Sequence, residues 1–210
     1  SFFLVLCYLA TFFSNKENIS LYKKSVHLLI SVVAPLIFIQ LWFFFTSQVA
    51  DRPSNPFGFL IYRSQWEGIF LAIGYPLGNL IHNYITPIRP VHWEGVAYVG
   101  AIPFLFFLRY IGRLIASPFR RDFHSARKIS GNTLLNIAFT SSFLLLLFSF
   151  GLPFILELDF LLDYVGPLKQ FRGIARFSWV FFFILNIIAF TVIYAKLSDR
   201  SNSSKNKRLI

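Results

Sequence analysis

The stretch that decides the fold is residues 177–195, which read FSWVFFFILNIIAFTVIYA. It contains no charged side chain, and its length is close to the roughly 20 apolar residues that cross a hydrocarbon core as a helix. Just before it, residues 166–176 read GPLKQFRGIAR and place three cations at the start of the apolar run, namely Lys169, Arg172 and Arg176. The sequence therefore predicts a membrane helix with positive charge at its entrance.

The composition of the whole chain is that of an integral membrane protein. Of its 210 residues, 56% are hydrophobic and 14% charged, with a mean hydropathy of +0.61. Soluble domains carry about 25% charged residues. The chain contains no methionine and opens directly on an apolar run at Ser1, so we expect a fragment that lacks preceding helices of the same protein. Its one cysteine, Cys7, excludes an internal disulfide.

Apolar runs predict an all-α, polytopic bundle of about five spans. They lie near residues 1–13, 26–46, 95–115, 133–154 and 177–195, and Pro35 predicts a kink in the second. Together they form one predicted transmembrane domain, 1–196, followed by a flexible basic tail at 197–210. The connections 47–93 and 157–172 share one side of the membrane. Inside the longer one, the apolar stretch 66–85 is broken by glycines and a proline, which favours interfacial or re-entrant helices over a full span.

The distribution of cations sets the predicted orientation. Fourteen of the 20 Lys and Arg residues lie in 14–25, 109–132 and 196–210, on one side of the five spans. Cytoplasmic loops carry the excess of Lys and Arg, so this side and the C-terminus are predicted to be cytoplasmic. Membrane topology then explains the formal net charge of +11, and no nucleic-acid partner is needed to explain it. Loops 47–93 and 157–172 face outward.

The cations of the second outer loop form the strongest candidate binding site. Arg172 and Arg176 are four residues apart, so on a continuous helix their guanidiniums share one face. With Lys169 they suit a phosphate or diphosphate, because guanidinium groups bind oxyanions bidentately. In the alternative interpretation they pair with Asp159 or Asp163 and fix the loop. The sequence leaves both open.

Three outer carboxylates are candidates for a general base, and spacing alone selects none of them: Asp51, Glu67 and Glu94. For Glu94 the alternative is a charge at the N-terminus of a helix over 95–115, where the helix dipole favours an anion. Arg63 is a further candidate for substrate binding on the same side.

Metal and nucleotide motifs are absent from the sequence. His82 and His92 are separated too widely for a recognised zinc motif, so we expect no metal held by them. The sequence has no P-loop, GxGxxG, GxSxG or CxxC motif, which removes support for soluble nucleotide or hydrolase chemistry. We therefore predict no cofactor, and a divalent cation would have no ligand signature here.

Two segments resemble parts of GT-C-type glycosyltransferases, large bacterial multi-pass membrane proteins. Residues 171–183, FRGIARFSWVFFF, are similar to an F-R-x-x-x-R-F-x-W segment that leads from an outer loop into a late membrane helix. Residues 92–100, HWEGVAYVG, are similar to a W/Y-E-G-x-x-Y-x-G segment that opens an earlier helix. The resemblance carries over four positions: Arg172, Arg176, Glu94 and Tyr98. It corresponds to about the C-terminal third of such a protein, and the first outer loop, with its key acidic residue, is missing.

The resemblance implies a lipid-linked sugar donor, such as a polyprenyl-phosphate sugar, used at the outer face of the bacterial inner membrane without a nucleotide. Arg172, Arg176 and Lys169 would hold the phosphate leaving group, with Tyr98 and Arg63 as further substrate contacts. An outer carboxylate would deprotonate the acceptor. Two other functions stay open: a transporter or flippase of a lipid-linked or anionic substrate, and a membrane assembly protein without chemistry.

Overall fold

The computed structural model describes residues 2–14, 20–46, 58–72, 76–84, 91–118, 128–164 and 173–207. Helices are the regular structure of these ranges, and no β-strand occurs within them, which confirms the all-α prediction. The α-helices are α1 (Phe2–Ser14), α2 (Leu21–Leu28), α3 (Ala34–Thr46), α4 (Trp66–Phe70), α5 (Pro76–Tyr84), α6 (Ala101–Ala116), α7 (Thr133–Ser149), α8 (Leu161–Tyr164) and α9 (Ser178–Lys207).

The central element is α9, which carries the apolar run of residues 177–195. Its helical backbone begins one turn earlier, in the 3-10 turn Ile174–Phe177. The 25 residues Ile174–Ser198 form the one helix of the described ranges that is clearly long and apolar enough to cross a bilayer. Only 22% of its most apolar window is buried, whereas the core helix of a soluble protein is mostly buried. The helix then continues to Lys207, through the predicted flexible tail, because neither Gly nor Pro interrupts it.

Phenylalanine side chains form the core between α6, α7 and α9. Phe181 of α9 is fully buried. Its ring centroid lies 5.6 Å from that of Phe107 and 6.2 Å from those of Phe139 and Phe143. Phe70 of α4 stacks on Phe107 at 5.7 Å with an interplanar angle of 4°. Offset and edge-to-face contacts of this kind stabilise aromatic pairs beyond their buried area.

Small residues accompany the close packing of α7 on α9. Ser142, Ser149 and Ser178 are fully buried, and their hydroxyls donate to carbonyls three residues earlier in the same helical turn. The hydroxyl donors of these three serines are therefore satisfied locally. Small side chains let two helix backbones approach closely, which is how helices pack where lipid replaces water.

The N-terminal helices form a separate layer on α7. α1 packs against α7, and α2 contacts α1. The π-helical turn Leu29–Val33 joins α2 to α3, so helical backbone runs from residue 21 to 46 rather than from the predicted 26. The turn ends two residues before Pro35, which lacks an N–H and whose ring crowds the carbonyl four residues earlier, within the turn. A widened turn accommodates that proline, at the place where the sequence predicts a kink.

The predicted start of a span at residue 95 is wrong. Residues 96–99 are not helical, and α6 begins at Ala101. Instead, the Ala97 N–H donates to the Gly68 carbonyl, and the Val99 N–H donates to the Ile69 carbonyl, both at 3.0 Å. These bonds to a distant segment hold the chain extended before the helix starts.

The predicted end of a span at residue 154 is also wrong, because α7 ends at Ser149. Gly151 follows with φ of 93°, a left-handed conformation that ends helices. A 3-10 turn, Phe154–Leu156, replaces the expected continuation.

Short turns and loops assemble into a cap, defined as residues 58–72, 91–100, 150–164 and 173–177. It lies at the end of the bundle where α6 and α9 begin and α7 ends. A second buried cluster holds the cap together and consists of Phe59, Phe154, Leu162 and Ile174. The interrupted stretch 66–85 contains two short helices, α4 and α5, as its breakers predict. The cap carries the described candidate site residues.

Candidate functional site on the cap

An ion pair joins the two segments that the sequence analysis singles out. Arg176 Nη2 lies 2.5 Å from Glu94 Oε1. Glu94 belongs to the 3-10 turn Trp93–Gly95 and Arg176 to the turn Ile174–Phe177, and these two turns pack on each other. The Glu94 side chain is 15% exposed, whereas that of Arg176 is 69% exposed. The carboxylate is therefore largely enclosed, and the guanidinium keeps further N–H donors toward the outside.

This pairing decides between several of the predicted alternatives. Glu94 is not at a helix N-terminus, because α6 begins at Ala101. Among the described residues, Arg176 pairs with Glu94 and not with Asp159 or Asp163. The acid that holds this cation lies 82 residues earlier in the sequence, in the Trp93–Gly95 turn.

The prediction that Arg172 and Arg176 share one face of a continuous helix is wrong. Gly173 between them is extended, with φ of −145° and ψ of 100°, and the helical turn begins only at Ile174. Arg172 and Lys169 themselves lie outside the described residues, as does Asp51. Their predicted roles in binding and catalysis stay predictions.

The position of Arg176 is fixed by bonds of its neighbour Ala175, which is fully buried. The Ala175 N–H donates to the Tyr62 carbonyl at 3.0 Å, and its carbonyl accepts from Ser64 Oγ at 3.0 Å. Ser64 in turn donates its backbone N–H to the Ser149 carbonyl at the end of α7. These bonds lock the turn before α9 to the segment 62–64.

The same bonds bring the backbone segments that carry Arg63 and Arg176 together in space. Arg63 follows Tyr62, and Arg176 follows Ala175, so each arginine is the next residue after one member of a hydrogen-bonded pair. Both arginine side chains are exposed. The fold thus places two solvent-facing cations on adjoining segments of the cap, although they are far apart in sequence.

Gly173 provides space for the Glu94 carboxylate. A Cβ built on Gly173 would overlap Glu94 Oε2 and lie 3.7 Å from the Tyr62 Cβ. A larger residue at position 173 would therefore push the carboxylate away from its present position. Glycine is required here by close approach rather than by its backbone angles.

Glu67 and Tyr98 occupy different environments from the ion pair. Glu67 lies in the first turn of α4 and is 4% exposed, and no described residue donates a hydrogen bond to its carboxylate. Its neighbour Gly68 packs on the Gly95 carbonyl, so Glu67 is next to the turn that carries Glu94. Tyr98 is half-buried in the extended segment before α6. No described contact joins Tyr98 to Arg176.

A tyrosine–histidine contact on the cap was missed by sequence reasoning. The rings of Tyr62 and His92 meet edge to face, with centroids 4.5 Å apart and an interplanar angle of 85°. The only sequence signal is that His92 directly precedes the Trp93–Gly95 turn. Within the described ranges, no group of three or more His, Cys, Asp or Glu residues is arranged to hold a metal ion.

Comparison with known proteins does not assign this chain to a family. No family model matches this chain. Neither a curated protein nor a solved structure matches it. The chemistry of the cap therefore has to be argued from its own geometry. That geometry offers an outward guanidinium held by an enclosed carboxylate, a second exposed arginine on the adjoining segment, and a nearly buried glutamate next to them.

Proposed function

We propose that this chain is part of a multi-pass protein of the bacterial inner membrane, with five spans and the cap on the outer face. Support comes from the exposed side chains of the helical stretch 21–46. Phe38, Trp42, Phe44 and Phe45 are between 59% and 80% exposed. An apolar surface of this size is unfavourable in water and is satisfied by lipid or by neighbouring membrane helices. The basic residues at the far end from the cap favour the same orientation.

We further propose that the cap binds the phosphate of a lipid-linked sugar and that the protein transfers the sugar to an acceptor. The observation that carries this proposal is the 69% exposed Arg176 guanidinium at the entrance of the spanning helix. The positive-inside rule disfavours Lys and Arg on the outer side. We therefore attribute a cation that a carboxylate holds in place there to the binding of an anionic ligand. A positioned guanidinium stabilises the charge that develops on a departing phosphate.

In the proposed reaction an acceptor hydroxyl oxygen attacks the anomeric carbon of the sugar. The bond between that carbon and the phosphate oxygen breaks, and its electron pair stays on the lipid phosphate. Arg176, with Arg63 nearby and with Lys169 and Arg172 earlier in the chain, offsets the charge of this leaving group. The acceptor proton passes to a carboxylate, for which Glu67 and Asp51 are the candidates.

Glu94 takes a different role in this proposal from the one its sequence position suggested. Because its carboxylate already accepts a hydrogen bond from Arg176, it acts as a positioning residue that aims the guanidinium outward. A transporter has less support, since several polar groups inside the described helices are committed to structural bonds. Asn186 Nδ2, for example, donates to the carbonyls of Val99 and Phe182 at 3.2 and 2.8 Å.

The experiment uses the full-length protein, reconstituted in lipid nanodiscs and supplied with polyprenyl-phosphate sugars and acceptor. We expect Arg176→Gln to lower kcat/KM by about 100-fold, the usual effect of removing one positioned donor to a developing oxyanion. Lys196→Gln, which removes an exposed cation near the other end of the same helix, is the matched control and should change it less than about twofold. Full activity of Arg176→Gln would exclude the phosphate clamp, and no turnover with any donor would exclude the transferase.

A further inference from the structure

A groove of about 560 Å³ opens between α6 and α7, away from the cap. Its volume lies within the ~300–1,000 Å³ of typical ligand sites. Aromatic and aliphatic side chains make up almost the whole lining, in which the polar groups are the hydroxyls of Tyr110 and Thr140. The lining residues are Phe107, Tyr110, Ile111, Leu114, Phe139, Thr140 and Phe143. An extended hydrocarbon chain suits such a lining, whereas a polar ligand would find almost nothing to bind.

The rim of this groove is positively charged. The Arg113 guanidinium carbon lies 6.0 Å from the ring centroid of Tyr110, one of the lining residues. The same guanidinium donates from Nη2 to the backbone carbonyl of Lys128, so the backbone of a second exposed cationic residue lies beside Arg113. Both residues lie near the end of α6 that is opposite to the cap, where the sequence concentrates its Lys and Arg.

Arg109, another arginine of α6, lies on the same side of the helix as Arg113 but lacks the contacts that place Arg113 beside the groove. Arg109 and Arg113 are four residues apart, about 40° around the helix and one turn along it, so Arg109 lies nearer to the cap. No described contact joins Arg109 to Tyr110 or to Lys128. Arg109 is likewise exposed and carries the same charge. It therefore offers a matched control on the same helix.

We propose that the groove binds one acyl chain of an anionic glycerophospholipid from the cytoplasmic leaflet, with the headgroup phosphate on Arg113 and Lys128. Basic pockets between membrane helices on the cytoplasmic side are the places where anionic headgroups bind. Charge complementarity at the rim selects the anionic headgroup, and the aromatic lining selects the chain. The inference rests on the proposed membrane setting of α6 and α7 and is independent of sugar transfer at the cap.

The test is a titration of the detergent-purified full-length protein, followed by native mass spectrometry. The lipids are phosphatidylglycerol and phosphatidylcholine with identical acyl chains, and polyprenyl phosphate. We expect one phosphatidylglycerol to bind at least about fivefold more tightly than phosphatidylcholine, the factor that corresponds to about 1 kcal/mol per Lys or Arg near an anionic headgroup. Arg113→Gln should remove most of this preference, and Arg109→Gln should keep it.

A second variant tests the groove itself. Thr140→Trp places an indole in the groove and should lower phosphatidylglycerol binding by about tenfold or more. Equal binding of the two phospholipids by the wild-type protein would overturn the proposal, whatever the variants do. So would equal effects of Arg113→Gln and Arg109→Gln, or a preference for polyprenyl phosphate over phosphatidylglycerol. The titration needs no turnover, so its failure and a failure of the transferase assay are separate results.

Discussion

Gly68 and Gly95 approach each other so closely that a Cβ built on Gly68 would lie 2.7 Å from the Gly95 carbonyl oxygen. The same Cβ would lie 2.9 Å from Val91 Cγ1. Through this contact the Trp93–Gly95 turn packs directly against α4. Since Glu94 is in the middle of that turn, the contact also determines where its carboxylate meets Arg176.

The first prediction concerns this contact. Gly68→Ala should lower the free energy of unfolding by about 1–3 kcal/mol, because overpacking forces backbone shifts of this cost. The control is Gly112→Ala in α6, where a Cβ meets nothing within 4 Å and alanine should be neutral or stabilising. Thermal unfolding in a single detergent measures both variants. An unchanged midpoint for Gly68→Ala would show that the two turns separate easily.

The second prediction concerns the stability contribution of the ion pair. In a double-mutant cycle of Glu94→Gln and Arg176→Gln, we expect a coupling free energy of at most about 1 kcal/mol, because exposed pairs are screened by solvent. The 69% exposure of Arg176 is the reason for this low value. A coupling above about 2 kcal/mol would mean that the pair is a structural element of the cap rather than a poised binding group.

The third prediction concerns the hydrogen bond that ties Ser64 to Ala175. Ser64→Ala should lower the free energy of unfolding by about 1 kcal/mol, the net contribution of a typical hydrogen bond. Ser142→Ala is the control, because its hydroxyl bonds only to the carbonyl three residues earlier in its own helix. Chemical unfolding followed by tryptophan fluorescence compares them. Equal losses for the two variants would contradict a special role for the long-range bond.

The fourth prediction concerns the aromatic core. Phe181→Ala should lower the free energy of unfolding by about 3 kcal/mol or more, because it leaves a cavity between four other phenylalanines. Phe183→Ala, two residues on, removes a ring that is 56% exposed and should have less than a third of that effect. Similar unfolding midpoints for the two variants would mean that α9 does not face the bundle as described.

The fifth prediction concerns the proposed orientation. In a Cys7→Ala background, in which these 210 residues contain no other cysteine, Asp159→Cys should react with a membrane-impermeant maleimide in intact cells. Lys128→Cys should react only after the membrane is permeabilised. Both positions are exposed, so access to reagent depends on the side of the membrane. The reverse labelling pattern would place the cap in the cytoplasm.

Local patterns predicted much of the helix inventory. The apolar runs at 1–13, 26–46, 133–154 and 177–195 each contain a helix, and the breakers in 66–85 mark two short ones. The boundaries near residues 95 and 154 were wrong for different reasons. Bonds from Ala97 and Val99 to a segment nearly 30 residues earlier override the apolar run. At the end of α7 the left-handed Gly151 stops the helix.

The candidate site divides in the same way. Sequence alone determined that Glu94 and Arg176 are charged residues bordering apolar runs, because charge and hydropathy are properties of single residues and their neighbours. Their pairing across 82 residues was decided by the tertiary structure. It depends on the Gly68–Gly95 approach and on the bonds of Ala175 to Tyr62 and Ser64, contacts between distant segments that leave no periodic trace in the chain.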